Sequence, residues 1–108
     1  MSKSQDGIEV VHLNGDLDYQ NAQELKKQLT DLVAAGHSRL VIDLAAVSSI
    51  DSSGLGALVG GLKAARSAGG GLQLAAPNDQ VRRVLALTTL DRILKSHLTV
   101  EEAAAALS

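Results

Sequence analysis

The 108-residue sequence has no cysteine, phenylalanine or tryptophan, one tyrosine (Tyr19) and one proline (Pro77). Without cysteine there are no disulfides, zinc–thiolate sites or thiol nucleophiles. A single aromatic ring excludes a surface on which nucleic-acid bases stack. The core must then be built from Leu, Val, Ile and Ala. No apolar run approaches the roughly 20 residues that a membrane-spanning helix needs; the longest candidate lies near residues 54–62. The opening Met-Ser-Lys-Ser-Gln-Asp-Gly lacks the hydrophobic stretch of a secretion signal. Positive charge is not in excess either: ten Lys and Arg face twelve Asp and Glu, for a net charge of −2. That balance argues against an electrostatic hold on nucleic acid or an anionic membrane. The expectation is one soluble, cytoplasmic domain over residues 1–108, monomeric by default. At 45% hydrophobic and 20% charged, it is long enough to bury a core.

What is present alternates between strand and helix signals. Residues 8–14 are rich in β-branched and apolar side chains and stop at Gly15, which predicts a strand. Ala22, Leu25, Leu29, Leu32 and Val33 recur at helical spacing. Asn21 with Glu24 predicts a capping box, and Gly36 a left-handed stop. Residues 40–44, Leu-Val-Ile-Asp-Leu, form a nearly continuous apolar run suited to a strand covered on both faces. A second amphipathic helix is expected over 54–67 and a second buried strand over 72–76, stopped by Pro77. Asn78 should cap a third helix carrying Val81, Val84 and Leu85. Residues 97–100 suit a short edge strand, and Thr99 with Glu102 predicts a capping box for a last helix over 101–107. The architecture implied is a small α/β sandwich with a mixed, mostly parallel sheet of four to five strands and about four helices.

In such sheets chemistry gathers beyond the carboxyl ends of the strands, where the next helix begins. Here that place is residues 45–56, Ala-Ala-Val-Ser-Ser-Ile-Asp-Ser-Ser-Gly-Leu-Gly. Asp51, Ser52 and Ser53 are each good helix caps, and a helix start offers N–H donors to an anion. The same residues equally suit a plain cap, with the glycines serving only tight packing. Gly54, Gly56 and Gly60 resemble a dinucleotide fingerprint with one residue too many, after a strand that should end near Leu44. A P-loop would need Gly-Lys-Ser/Thr, but Leu62 follows Gly61. A nucleophile elbow would need Gly at position 51. Gly56 and Gly60 are expected to let the helix approach the sheet. His12, His37 and His97 are scattered, without metal-ligand spacing.

Asp51-Ser52-Ser53-Gly54-Leu55-Gly56 closely resembles the phosphorylation loop of STAS domains of the anti-sigma factor antagonist family. Residues 13–18 (Leu-Asn-Gly-Asp-Leu-Asp) are similar to that family's segment before the first helix. Residues 40–44 with Val47 and Ile50 are similar to its central strand. Leu72-Gln73-Leu74, Pro77, Val81, Leu85, Leu90 and Ile93 are similar to its C-terminal half. The similarity covers roughly residues 8–107; the segment before Gly7, where the family has a first strand, is short and polar.

The resemblance implies a STAS-like sandwich and a regulatory module rather than an enzyme. It implies phosphorylation at Ser53, with Asp16, Asp18, Asp51, Ser52, Gly54, Leu55 and Gly56 around the partner-binding site. The unphosphorylated form would bind an anti-sigma factor that is also a serine kinase, freeing a sigma factor, and a PP2C-type serine phosphatase would reset the serine. No cofactor is implied, because ATP belongs to the kinase. The alternatives within and near the family are a scaffold or accessory subunit of a stress-sensing complex or lipid-transport ATPase, or a nucleotide-binding module using the helix start beside Asp18.

Overall fold

The computed structural model describes residues 7–107. Nine segments follow in order: β1 (Ile8–Leu17), α1 (Ala22–Ala34), β2 (Arg39–Ile50), α2 (Ser52–Ser67), β3 (Gly71–Ala75), α3 (Asp79–Leu87), a 3-10 turn (Leu90–Arg92), β4 (Ser96–His97) and α4 (Val100–Ala105). The four strands lie side by side in the order β1-β2-β3-β4, and every described pairing is parallel. The short, polar segment before Gly7, where the family has a first strand, lies outside the described residues.

Alternation along the strands divides the core into two layers. Val11, Leu40, Ile42, Leu44, Leu72 and Leu74 turn to one face and pack with Leu25 and Leu29 of α1, Leu55, Leu58 and Leu62 of α2, and Val81 and Leu85 of α3. Ile8, Val41 and Ala75 turn to the other face, where α4 covers them with Ala103. Sequential parallel order is what results when successive crossovers return over the same face of a sheet. The α4 layer is thin, and its short helix is held at the start by Thr99, whose hydroxyl accepts the Glu102 N–H (3.1 Å). The Glu102 carboxylate reaches back to the Leu98 N–H (3.2 Å), one residue earlier than a capping box predicts.

Helix α1 stops as expected. Gly36 has φ +101°, its N–H bonds the Val33 carbonyl and the His37 N–H bonds that of Leu32, a Schellman turn. Its start differs. Asn21 stands at the N-cap, but its side chain makes no capping bond; it turns back and holds the preceding loop instead.

The largest departure from the sequence reading is β2, expected to end at Leu44 and found to continue to Ile50. Its register against β1 slips twice, between His12 and Asn14 and between Gly15 and Asp16, so that β2 carries an extra residue at each slip. A bulge inserts one residue into the period of two. Buried positions in this half therefore fall at Leu44, Val47 and Ile50, three apart, and the alternation that identifies a strand disappears. Asp43 bridges the first irregularity by accepting the Ala45 N–H (3.0 Å).

Candidate functional site

Because β2 runs on to Ile50, the strand meets α2 with one intervening residue, Asp51. This corrects the expectation of a long loop there, and with it one of the two grounds for setting aside a dinucleotide fingerprint. The other ground stands: the glycine spacing is wrong, and Gly54, Gly56 and Gly60 lie inside α2.

Asp51 is extended (φ −115°, ψ −174°), and its Oδ1 accepts from the Ser53 N–H (2.8 Å) and the Gly54 N–H (3.0 Å). One carboxylate oxygen thus satisfies two of the donors that a helix start leaves open, and adds negative charge at the positive end of the dipole. Its own N–H donates to the Leu17 carbonyl (3.0 Å), which ties the α2 start to the end of β1. Gly54 completes the joint. A Cβ there would sit 2.5 Å from the Leu17 carbonyl oxygen and 2.9 Å from Ile50 Cγ1, so only glycine lets α2 come down onto the strand ends.

The β1 end is shaped by a second set of bonds. The Asn21 side-chain oxygen accepts the Asp18 N–H (3.0 Å) and its Nδ2 donates to the Asp16 carbonyl (2.6 Å). Asp18 Oδ1 accepts the Gln20 N–H (3.0 Å), and Asp16 Oδ1 accepts the Ser49 hydroxyl (2.7 Å) across the bulged β1–β2 ladder. Asp16, Asp18 and Asp51 are in this way brought to one end of the sheet by adjacent strand termini.

On its other side β2 outruns β3, whose pairing with it stops at Asp43–Ala75. The start of α3 takes over there. Asn78 Nδ2 donates to the carbonyls of Val47 (3.1 Å) and Ser48 (3.0 Å), while its Oδ1 caps α3 through the Val81 N–H (2.9 Å). Gln80 accepts the Ile50 N–H (3.1 Å) and donates to the Ile50 carbonyl (3.4 Å). Two amide side chains stand in for a missing strand and fix the backbone directly before Asp51. Asn78 was legible as a cap. Its second role, and that of Gln80, were not, since nothing local in Pro-Asn-Asp-Gln indicates which strand lies opposite.

The outcome for the expected site residues is uneven. Asp51 and Ser52 are exposed, and Ser53 is half-buried, its hydroxyl without a hydrogen bond among the described residues. Asp16 is exposed, Asp18 half-buried and Gly56 exposed with open space where a side chain would be. Leu55, expected on the partner surface, is 2% exposed and belongs to the core; a side chain so placed has no area to offer. Gly54 is buried too and acts through packing. Gly56 does not bring the helix to the sheet, as its spacing with Gly60 suggested. Besides Gly54, the close approaches along α2 are at Gly60, against the Lys26 stem of α1, and at Gly61, against Leu29. A phosphate at Ser53 was expected to use free N–H donors of α2, but those of Ser53 and Gly54 are already held by Asp51.

Among the described residues there is no cluster of His, Asp and Glu able to hold a metal, and no helix long and apolar enough to cross a membrane. His12 pairs with Asp43 (2.8 Å) and His97 with Gln73 (2.8 Å). His37 lies 3.7 Å from Glu9. Each histidine is accounted for by a structural neighbour.

A four-stranded parallel sheet whose second helix starts on Asp-Ser-Ser-Gly defines a STAS domain, and the STAS domain family model matches residues 1–103. The chain belongs to that family, among the anti-sigma factor antagonists. The anti-sigma-B factor antagonist of Staphylococcus aureus is 32% identical over 91 residues, 84% of each chain. The crystal structure of a Thermotoga maritima protein superposes with TM-score 0.89 at 39% identity, over 97% of this chain and 91% of that one. The anti-sigma factor antagonist SpoIIAA in its unphosphorylated form, at 18% identity and TM-score 0.72 over 97% and 92% of the two chains, shares the fold.

Proposed function

We propose that this protein is the switchable member of a partner-switching system. Its unphosphorylated form binds an anti-sigma factor that is also a serine kinase, and phosphorylation of Ser53 ends that binding. The observation that carries the reading is the Ser53 hydroxyl: half-buried and unbonded, one residue into a helix whose start is fixed by Asp51, Leu17, Asn78 and Gln80. A kinase needs a hydroxyl within reach on a rigid surface, and a partner needs a surface whose charge can change without refolding.

Phosphorylation adds about −1.5 to −2 charges. The group would arrive beside Asp51, with Asp16 and Asp18 close along the strand ends. Because Asp51 holds the two nearest helix donors, the phosphate is not absorbed by the helix and is turned toward solvent and the partner. A partner packing there must desolvate the charge or oppose it with its own, at a cost of several kcal/mol. Each 1.4 kcal/mol is about tenfold in affinity, so one phosphate suffices to release the partner. A PP2C-type phosphatase would restore the neutral face. On this reading the protein has no catalytic activity of its own.

The test is incubation with candidate cognate kinases and ATP, followed by intact mass and site mapping, with calorimetry of the variants. Phosphate on Ser53, constitutive binding by Ser53→Ala and weak binding by Ser53→Asp are expected. Equal affinity of wild type and Ser53→Asp, with phosphate absent from the 48–53 serines, would overturn the reading.

A further inference from the structure

At the opposite end of the sheet, where the strands begin, lies a cavity of about 420 Å³. Its lining includes Arg39 at the start of β2, Arg66 in the last turn of α2 and Lys95 ahead of β4, and no acidic side chain. Its accessible apolar side chains are the half-buried Ile93 and Leu107, with Leu62 and Leu72 behind them in the core. Arg66 and Lys95 are exposed and have no ion-pair partner among the described residues. Elsewhere Lys27 pairs with Asp31 (2.8 Å) and Arg82 with Asp79.

Arg66 and Lys95, unpaired beside the half-buried Ile93 and Leu107, are an arrangement for an amphipathic anion. The turn that edges the cavity requires its glycines: a Cβ at Gly70 would collide with the Ser38 carbonyl, and Gly69 has φ +87°. The closing carbonyls of α2 oppose an anion with about half a charge, and they are bonded within the Schellman turn formed by the Gly69 and Gly70 N–H groups. Arg66 and Lys95 alone bring two full positive charges against that half. A guanidinium fork and an ammonium favour a dianionic phosphate over a single carboxylate. The volume exceeds what a bare phosphate fills, and the half-buried Ile93 and Leu107 offer apolar surface to a short aliphatic body. A cavity of the same volume between edge strand β1 and α1 is lined by Glu24 and by no Lys or Arg, and offers no such excess.

We propose that this cavity is a second ligand site, for a small phosphate monoester with an apolar body. It is remote from Ser53 and independent of the switch. The test is a titration of the ¹⁵N-labelled full chain with hexyl phosphate, with inorganic phosphate and hexanol as the two halves of the probe. Saturable amide shifts at residues 69–72, 93 and 107 are expected, with Kd on the order of 1 mM or below. Inorganic phosphate should bind more weakly and hexanol not at all. The Arg66→Gln/Lys95→Gln pair should weaken hexyl phosphate at least about tenfold, the loss expected for charge-assisted bonds, while the thermal midpoint stays put. Ser53→Ala should bind the probe like wild type, which separates this site from the switch. Absence of saturable shifts, shifts that persist in the double variant, or shifts centred on residues 51–54 would each overturn the proposal.

Discussion

Where the strands finish, the three carboxylates around the serine pair are tethered. Asp51 holds two helix N–H groups, Asp18 the Gln20 N–H and Asp16 the Ser49 hydroxyl. Where the strands start, Arg66 and Lys95 reach toward a cavity and pair with nothing among the described residues. The contrast separates two uses of charge. A tethered carboxylate shapes backbone: it caps, closes a turn or pins a bulge, and its electrostatic influence on a partner comes as a by-product of that work. An untethered cation contributes to the fold only through the weak field of a helix end, as Arg66 does, and is available to a ligand. Both ends also depend on a glycine pressed against a backbone carbonyl, Gly54 on Leu17 and Gly70 on Ser38.

That shared dependence gives the largest expected effects. Gly70→Ala and Gly54→Ala must each move backbone, and both should destabilise by about 3 kcal/mol or more in urea unfolding, at or above the top of the usual overpacking range. Gly70→Ala should cost more, since its clash is the closer. Only Gly54→Ala should also impair partner binding, because it displaces the Ser53 end. Equal partner affinities for the two variants would show that the ends are coupled through the sheet rather than separate.

Ser53→Asp comes next. Partner affinity should fall at least about thirtyfold, a loss of roughly 2 kcal/mol, with the unfolding midpoint nearly unchanged. Calorimetry and urea titration on one sample distinguish a surface effect from a folding one.

Asp51→Ala should lose about 1–2 kcal/mol of stability as a missing cap, and Asp51→Asn should recover most of it, because Asn caps equally well. If Asn fails where Asp succeeds, the carboxylate's charge matters more than its bonds. Gln80→Ala should cost about 1 kcal/mol through two lost bonds to Ile50. It should also raise hydrogen-exchange rates at Ile50 and its neighbours. The smallest effect belongs to the other end: Arg66→Gln/Lys95→Gln should shift stability by no more than about 0.5 kcal/mol. A larger loss would mean that those cations are structural after all.

Much of this molecule could be read along the chain. The Gly36 stop, the Asn78 and Thr99 caps and the apolar runs at 40–44 and 72–76 are local devices, set by a few neighbouring residues. The loop Asp51-Ser52-Ser53-Gly54 was also legible as a helix start. Asn21 shows the limit of such reading. Its sequence context fits a cap, yet its amide bonds backward to Asp16 and Asp18, since the same group satisfies either partner and the geometry of β1 chooses.

Strand–helix alternation and the place where a serine pair meets a helix start are legible in the chain alone, because periodicity and capping act over four or five residues. Tertiary structure decided the rest. It carried β2 through two bulges to Ile50, buried Leu55, and set Asn78 and Gln80 against a strand some thirty residues away. Those outcomes rest on which elements become neighbours, and unmet backbone donors and acceptors are satisfied by whatever the packed fold places beside them.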